Sequence, residues 1–252
     1  MLLFLDIGNT SVSCAQASHS IDSPLRPLGS YLFSTFPKKL QKWLLGGGKT
    51  QKEVVLSSVV PKNTLIVKQI VSKISGVQIW VAGENLPVPI KHKYKNLSKL
   101  GMDRRVCVYG ALRLYKPPFL LLDYGTALTA DYVDARGVFQ GGMIIPGPEL
   151  AYQALLQRAA LLPKKTRLPS KRLPFLGRSP SECLQTGILQ GYSAMAEGLS
   201  ERFRTRYGKS LQVICTGGFA ERLAVESKCF DAVDPLLCLR SLRSVFEDQV
   251  GL

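Results

Sequence analysis

Two short segments of the 252-residue chain have the make-up of phosphate-cradling turns: Asp6-Ile7-Gly8-Asn9-Thr10 and Asp123-Tyr124-Gly125-Thr126-Ala127. In each, an apolar run ends in Asp, and Gly follows two positions later. A glycine after a buried strand lets the main chain approach a phosphate, and small hydroxyl or amide side chains add donors. The carboxylate itself repels phosphate, so its useful role is to hold a cation that binds it. One such turn is a weak signal, because Asp also ends strands in plain turns. Two of them in register, each after five apolar or mostly apolar positions, carry more weight.

A third pair, Asp103–Arg104, sits at the start of a helical pattern over residues 100–115. A carboxylate there can accept a proton from an alcohol, and the neighbouring guanidinium can grip a substrate carboxylate through two parallel hydrogen bonds. The same two residues also suit a solvated helix start, where Asp is favoured.

These groups need elements to carry them. Residues 2–6 and 119–122 read as short buried strands that run into the two aspartates. Further strands are expected at 54–60, 77–81 and 211–215, and a hairpin at 130–133 and 138–145 around the turn 134–137. Apolar spacing predicts helices over 63–74, 100–115, 149–161 and 236–249. The longest helix is expected over 180–207, with Ser179 as N-cap, Pro180 in the first position and Glu182 completing a capping box. The segment 163–174 reads as a basic, proline-containing loop. The Pro117–Pro118 pair is the natural boundary, giving domains at 1–116 and 117–252. The pattern of the first half then begins again in the second, which argues for two similar α/β domains rather than a short-period repeat.

Bulk composition excludes several classes. Hydrophobic residues at 46% and charged residues at 20% are those of a globular chain. No apolar run approaches the roughly 18 residues that span a bilayer, and the first five residues lack a basic flank, so a cytoplasmic protein is expected. Six scattered cysteines and two histidines offer no zinc-ligand spacing and fit a reducing compartment. The net charge of +15 is dispersed over unrelated segments. It reads as solvated surface and a field attractive to anionic substrates, and no nucleic-acid partner is expected.

Taken together, the segments DIGNT at 6–10, LGMDR at 100–104, DYGTALTADYVDARG at 123–137, GGMIIPG at 141–147 and TGG at 216–218 resemble type III pantothenate kinase, a family of the actin-like ATPase superfamily. The resemblance covers nearly the whole chain. It implies two actin-like (ribonuclease H-like) α/β domains with a nucleotide cleft, and phosphorylation of pantothenate by ATP with Mg²⁺ and a monovalent cation, K⁺ or NH₄⁺. It implies a homodimer. By the same resemblance, Asp6, Ile7, Gly8, Asn9, Thr10, Ser11, Val12 and Ser13 form the first ATP loop, with Asp6 near the metal–phosphate group, and Thr126 contacts ATP phosphate. Asp103 becomes the general base, and Asp123 the ligand of the monovalent cation. Tyr94, Gly101, Met102, Asp103 and Arg104 line the pantothenate site, and Thr216-Gly217-Gly218 lies by the adenosine.

One position departs from the family pattern. Pro180 stands where relatives usually carry a threonine that contacts pantothenate, and proline offers neither hydroxyl nor N–H. That departure leaves one alternative beside the main expectation, a kinase of the same fold for another small hydroxylated substrate; the charge of +15 leaves a second, a non-catalytic regulatory or DNA-associated relative.

Overall fold

The computed structural model describes residues 1–20, 23–46, 52–159, 168 and 173–251. The chain forms two compact units: Met1–Tyr115 together with Leu236–Leu252, and Lys116–Pro235.

In the first unit, five strands form one sheet: β1 (Leu2–Ile7), β2 (Ser11–Ala17), β3 (Arg26–Leu32), β4 (Lys52–Ser58) and β5 (Val77–Val81). Their order is β3-β2-β1-β4-β5. β1 pairs antiparallel with β2 and parallel with β4, which is parallel to β5. β1 is apolar at nearly every position because both faces are covered. Its odd residues, Leu3, Leu5 and Ile7, pack with Phe36, Leu40 and Leu44 of α1 (Phe36–Leu45) and with Val67 and Val71 of α2 (Pro61–Ser72). Its even residues, Leu2 and Phe4, pack with Val106 of α3 (Met102–Leu114) and with Leu239, Leu242, Val245 and Phe246 of a helix over Leu237–Val250. By that alternation, Asp6 belongs to the second face.

The Leu237–Val250 helix departs from the expected division at residues 116 and 117. It belongs to the first unit, not to a domain running from 117 to the end. The reason is steric and apolar. Phe246 meets Phe4 and Trp80 edge-to-face at 6.3 and 5.8 Å. The backbone of Gly110 in α3 lies so close to Ser241 that a Cβ there would collide with it. A small residue on each helix sets that close approach.

The second unit repeats the plan. Its sheet contains β6 (Phe119–Tyr124), β7 (Ala127–Val133), β8 (Phe139–Pro146), β9 (Gln212–Thr216) and β10 (Ala232–Val233), ordered β10-β9-β6-β7-β8. β6 pairs antiparallel with β7 and parallel with β9. Renumbered from one within the unit, this order is that of the first sheet, and each unit is a ribonuclease H-like α/β fold. One face carries α4 (Pro148–Arg158), α5 (Pro180–Tyr207) and α6 (Ala220–Glu226) over Leu120, Leu122, Tyr124, Val213 and Cys215. With α6 counted, the Leu237–Val250 helix is α7.

α5 has the expected bounds, and Ser179 Oγ accepts the Glu182 N–H at 3.3 Å. Glu182 reaches back to the N–H of Arg178 at 2.8 Å, one residue before the N-cap. The hairpin forms as β7 and β8, with β7 starting three residues earlier than expected. Most of the loop expected at 163–174 lies outside the described residues. β2, β3, α1, α6 and β10 were not expected from the sequence.

Candidate active site

The first aspartate turn is closed by the Gly8 N–H donating to Ser11 O at 3.0 Å, and the Val59 N–H donates to Ile7 O at 3.1 Å. Ile7 and Val12 are buried, so their side chains serve the core. Asn9 and Thr10 are exposed at the tip, and Ser11 and Ser13 are half-buried at the start of β2. Gly8 has ordinary negative φ, and a Cβ on it would meet nothing closer than Ser11 O at 3.5 Å. Among the described residues, nothing demands glycine at that position. Room is left for a molecule that approaches from outside.

Asp6 and Asp103 are brought together by the fold although 97 positions of chain separate them. Burial is the main cause that pushes the Asp6 carboxyl up to about 6, and the Asp103 charge adds to it, while Cys238 and Ser57 pull it back down. Oδ1 of Asp6 is buried and makes no hydrogen bond. Asp103 is likewise raised by burial, opposed by the N–H and charge of Arg104. The Arg104 N–H donates to Asp103 Oδ1 at 2.7 Å.

The turn before α3 explains how that carboxylate is held. A Cβ on Gly101 would sit 2.5 Å from Asp103 Oδ1, so glycine there makes room for the folded-back carboxylate. Arg105 Nε donates to Val88 O at 2.6 Å, tying the start of α3 to the segment after β5. Arg104 is buried, at 7% exposure, so the solvated helix-start alternative does not hold for it. Met102 packs over Gly83 and against the core rather than standing free. Tyr94 is half-buried in the segment between β5 and α3, with its carbonyl 3.2 Å from His92 Nδ1.

Asp123 ends β6 in the second unit as Asp6 ends β1 in the first. The Gly125 N–H donates to Ala127 O at 3.1 Å, and Gly125 and Thr126 are exposed at the tip. A Cβ on Gly125 would meet nothing closer than 3.6 Å, and one on Gly218 nothing within 4 Å. Two other glycines are demanded by the chain itself. Gly217 has φ +92, and a Cβ on it would lie 2.5 Å from Asp123 Oδ1 and 2.6 Å from Tyr124 O. Gly147 fits against the backbone of Gly125 and Thr126, and its N–H donates to Thr126 O at 3.0 Å. Sequence reasoning gave Gly147 no role; its place inside GGMIIPG was the only signal. Pro180 is exposed in the first position of α5.

The residues at Asp6 suit a divalent cation. Hard carboxylate oxygens are its preferred ligands, and the orphaned Asp6 Oδ1 is a free one. No group of three or more His, Cys, Asp or Glu that could cage a metal occurs among the described residues.

Comparison with known proteins agrees with this chemistry. The model of the family described as type III pantothenate kinase matches residues 2–202. A type III pantothenate kinase of Desulfovibrio desulfuricans is 34% identical over 256 residues, covering 98% of this chain and 97% of that protein. One of Moorella thermoacetica is 32% identical, with 98% and 99% covered. Among solved structures, a Baf family protein of Campylobacter jejuni superposes with a TM-score of 0.57 at 16% identity over 99% of this chain and 98% of that one, a likeness of fold.

Proposed function

Because this chain belongs to the type III pantothenate kinase family, we propose that it transfers the terminal phosphoryl group of ATP to the hydroxyl of pantothenate. The products are ADP and 4′-phosphopantothenate, in the first step of coenzyme A biosynthesis. The observation that carries the chemistry is the pairing of two desolvated carboxylates, Asp6 and Asp103, on one face of the first sheet.

Phosphoryl transfer asks a protein to position its reactants, neutralise charge and accept one proton. Asp103 is the general base. Its raised pKa makes it a better proton acceptor than a carboxylate in water, and its contact with the Arg104 N–H fixes its direction. Arg104 meets the pantothenate carboxylate, and Tyr94, Gly101 and Met102 line the substrate site with it. The loop from Asp6 to Ser13 receives the ATP phosphates through backbone N–H groups, and Gly125 and Thr126 of the second unit form a turn of the same make-up, suited to phosphate.

Asp6 holds Mg²⁺ with the phosphates. The bound metal supplies positive charge that draws off the negative charge building on the phosphoryl oxygens. Asp123 takes a monovalent cation, K⁺ or NH₄⁺; a carboxylate beside a polyanion is tolerable only with a cation between them. The enzyme works as a homodimer in the cytoplasm. No helix among the described residues is long and apolar enough to cross a membrane.

The test is ADP release from Mg·ATP with pantothenate, in potassium and in sodium buffer. Release that depends on pantothenate, with a lower KM for ATP in potassium, is expected. No release by folded protein in potassium overturns the reading. Equal rates in sodium remove the cation role from Asp123. A second reading, a kinase for another small alcohol, is favoured only by Pro180, and the same assay across related alcohols decides it.

A further inference from the structure

One hydroxyl outside the residues assigned above stands out by its position. Ser57 follows the apolar run Val54-Val55-Leu56 in β4 and is fully buried. In the parallel β1–β4 pair it lies in register with Asp6, so both side chains leave the same face of the sheet. On the other side, Ser13 of β2 is in register with Asp6. The carboxylate is thus flanked across three strands by two hydroxyls. Neither Ser57 Oγ nor Asp6 Oδ1 makes a hydrogen bond within the protein. Ser57 nevertheless lies near enough to favour the charged form of Asp6.

Folded proteins rarely keep a buried hydroxyl without a partner, because water bound it in the unfolded chain. Alanine would fill the same place at the end of an apolar run. A hydroxyl retained there points to a role at the site, and the group in register beside it is the Asp6 carboxylate. The second unit repeats the arrangement in a different sequence. Thr129 of β7 and Thr216 of β9 are in register on either side of Asp123, and Thr216 is 1% exposed. What recurs is a buried hydroxyl on the fourth strand of each unit, next to the turn aspartate.

We propose that Ser57 is a positioning residue for the metal–nucleotide group: its hydroxyl holds the Asp6 carboxylate in the orientation that serves a divalent cation. This rests on the reading of Asp6 given above. Thr216 stands in the same relation to Asp123.

Manganese(II) binding, followed by electron paramagnetic resonance with a non-hydrolysable ATP analogue and no pantothenate, tests it apart from turnover. Ser57→Ala is expected to weaken manganese binding about ten- to a hundredfold, in line with one lost hydrogen bond to a charged group. The melting temperature should hold or rise, because the hydroxyl has no partner in the free protein, and the KM for pantothenate should not change. Unaltered manganese affinity in Ser57→Ala overturns the proposal. So does weaker binding that comes only with a lowered melting temperature, since that marks a hydroxyl needed by the fold. Asp6→Asn is the control. If it loses manganese binding while Ser57→Ala does not, only the inference about Ser57 fails. If Asp6→Asn also binds as the parent does, the reading of Asp6 fails and takes the inference with it.

Discussion

Asp6 and Asp123 end the first strand of two sheets that share one strand order, and each is followed by a glycine with open space beyond it. Their surroundings differ. Asp6 has a second carboxylate, Asp103, within electrostatic reach and one buried oxygen without a partner. Asp123 is instead crowded by main chain, with Gly217 pressed against its carboxylate and Gly147 against the turn that follows. A duplicated scaffold has been put to two uses. In the first unit the aspartate is buried beside a second carboxylate, so its charge is disfavoured. In the second, close packing of main chain fixes the shape of the turn around the aspartate.

The largest expected effect breaks this contrast at its chemical end. Asp103→Asn should cut kcat by roughly 10²-fold or more, as loss of a general base does. Binding of Mg·ATP and the melting temperature should be nearly unchanged. Turnover at the parent rate in steady-state kinetics would return Asp103 to the role of a helix-start carboxylate.

Two glycine variants sharpen the contrast next. Gly217→Ala forces a side chain into φ +92 and against Asp123, so it should lower stability by about 1–3 kcal/mol, read as a fall in melting temperature. Gly8→Ala meets no protein atom closer than 3.5 Å and should leave the melting temperature alone. It should instead raise the KM for ATP by about tenfold, as steric contact with a phosphate would. A destabilised Gly8→Ala protein with unchanged ATP affinity would make the two turns alike.

A smaller effect concerns stability and pH in the nucleotide-free protein. With its pKa raised from 3.8 to about 6, Asp6 costs folding stability wherever it is charged in both states, and the cost disappears as pH falls through 6 toward 4. Asp6→Asn should therefore gain on the order of 1–3 kcal/mol at pH 7.5, and that gain should vanish near pH 4. Thermal melts across that range check it; a gain that persists at pH 4 would show that charge is not the cause. The smallest effect is at the start of α5. Pro180→Thr restores the hydroxyl usual in the family and should lower the KM for pantothenate about two- to tenfold, with the KM for ATP unmoved. A higher KM would show that a neighbouring serine already fills the role.

Where the sequence carried a strong local pattern, the structure follows it. β5 and α5 have the expected bounds, the first because its β-branched and aromatic residues lie between Gly76 and Gly83, the second because Ser179, Pro180 and Glu182 mark its start. β3 was missed because it is an exposed edge strand with Pro27 and Gly29 inside it, residues that speak against a strand. α1 carries Phe36, Leu40 and Leu44 at helical spacing, a signal that was present and not used. The two turns were legible since their chemistry is local. The meeting of Asp6 with Asp103, Ser57 and Cys238 was not, because only packing brings those segments together. The stripe of α7 foretold its burial but not the sheet that it covers.

That last point bears on how the molecule is made. Since α7 closes the first sheet, the second unit is inserted into the first, and the ribosome completes the inserted unit before the one that encloses it. Lys116–Pro235 can fold as soon as it emerges. The face of β1 that carries Phe4 and Asp6 stays open until the last helix arrives. Nascent chains halted before residue 237 should therefore yield a protease-resistant second unit and a digestible first one. The surroundings of Asp6 are complete only when Cys238 and its helix come to rest beside it, so they form after the second unit has been made.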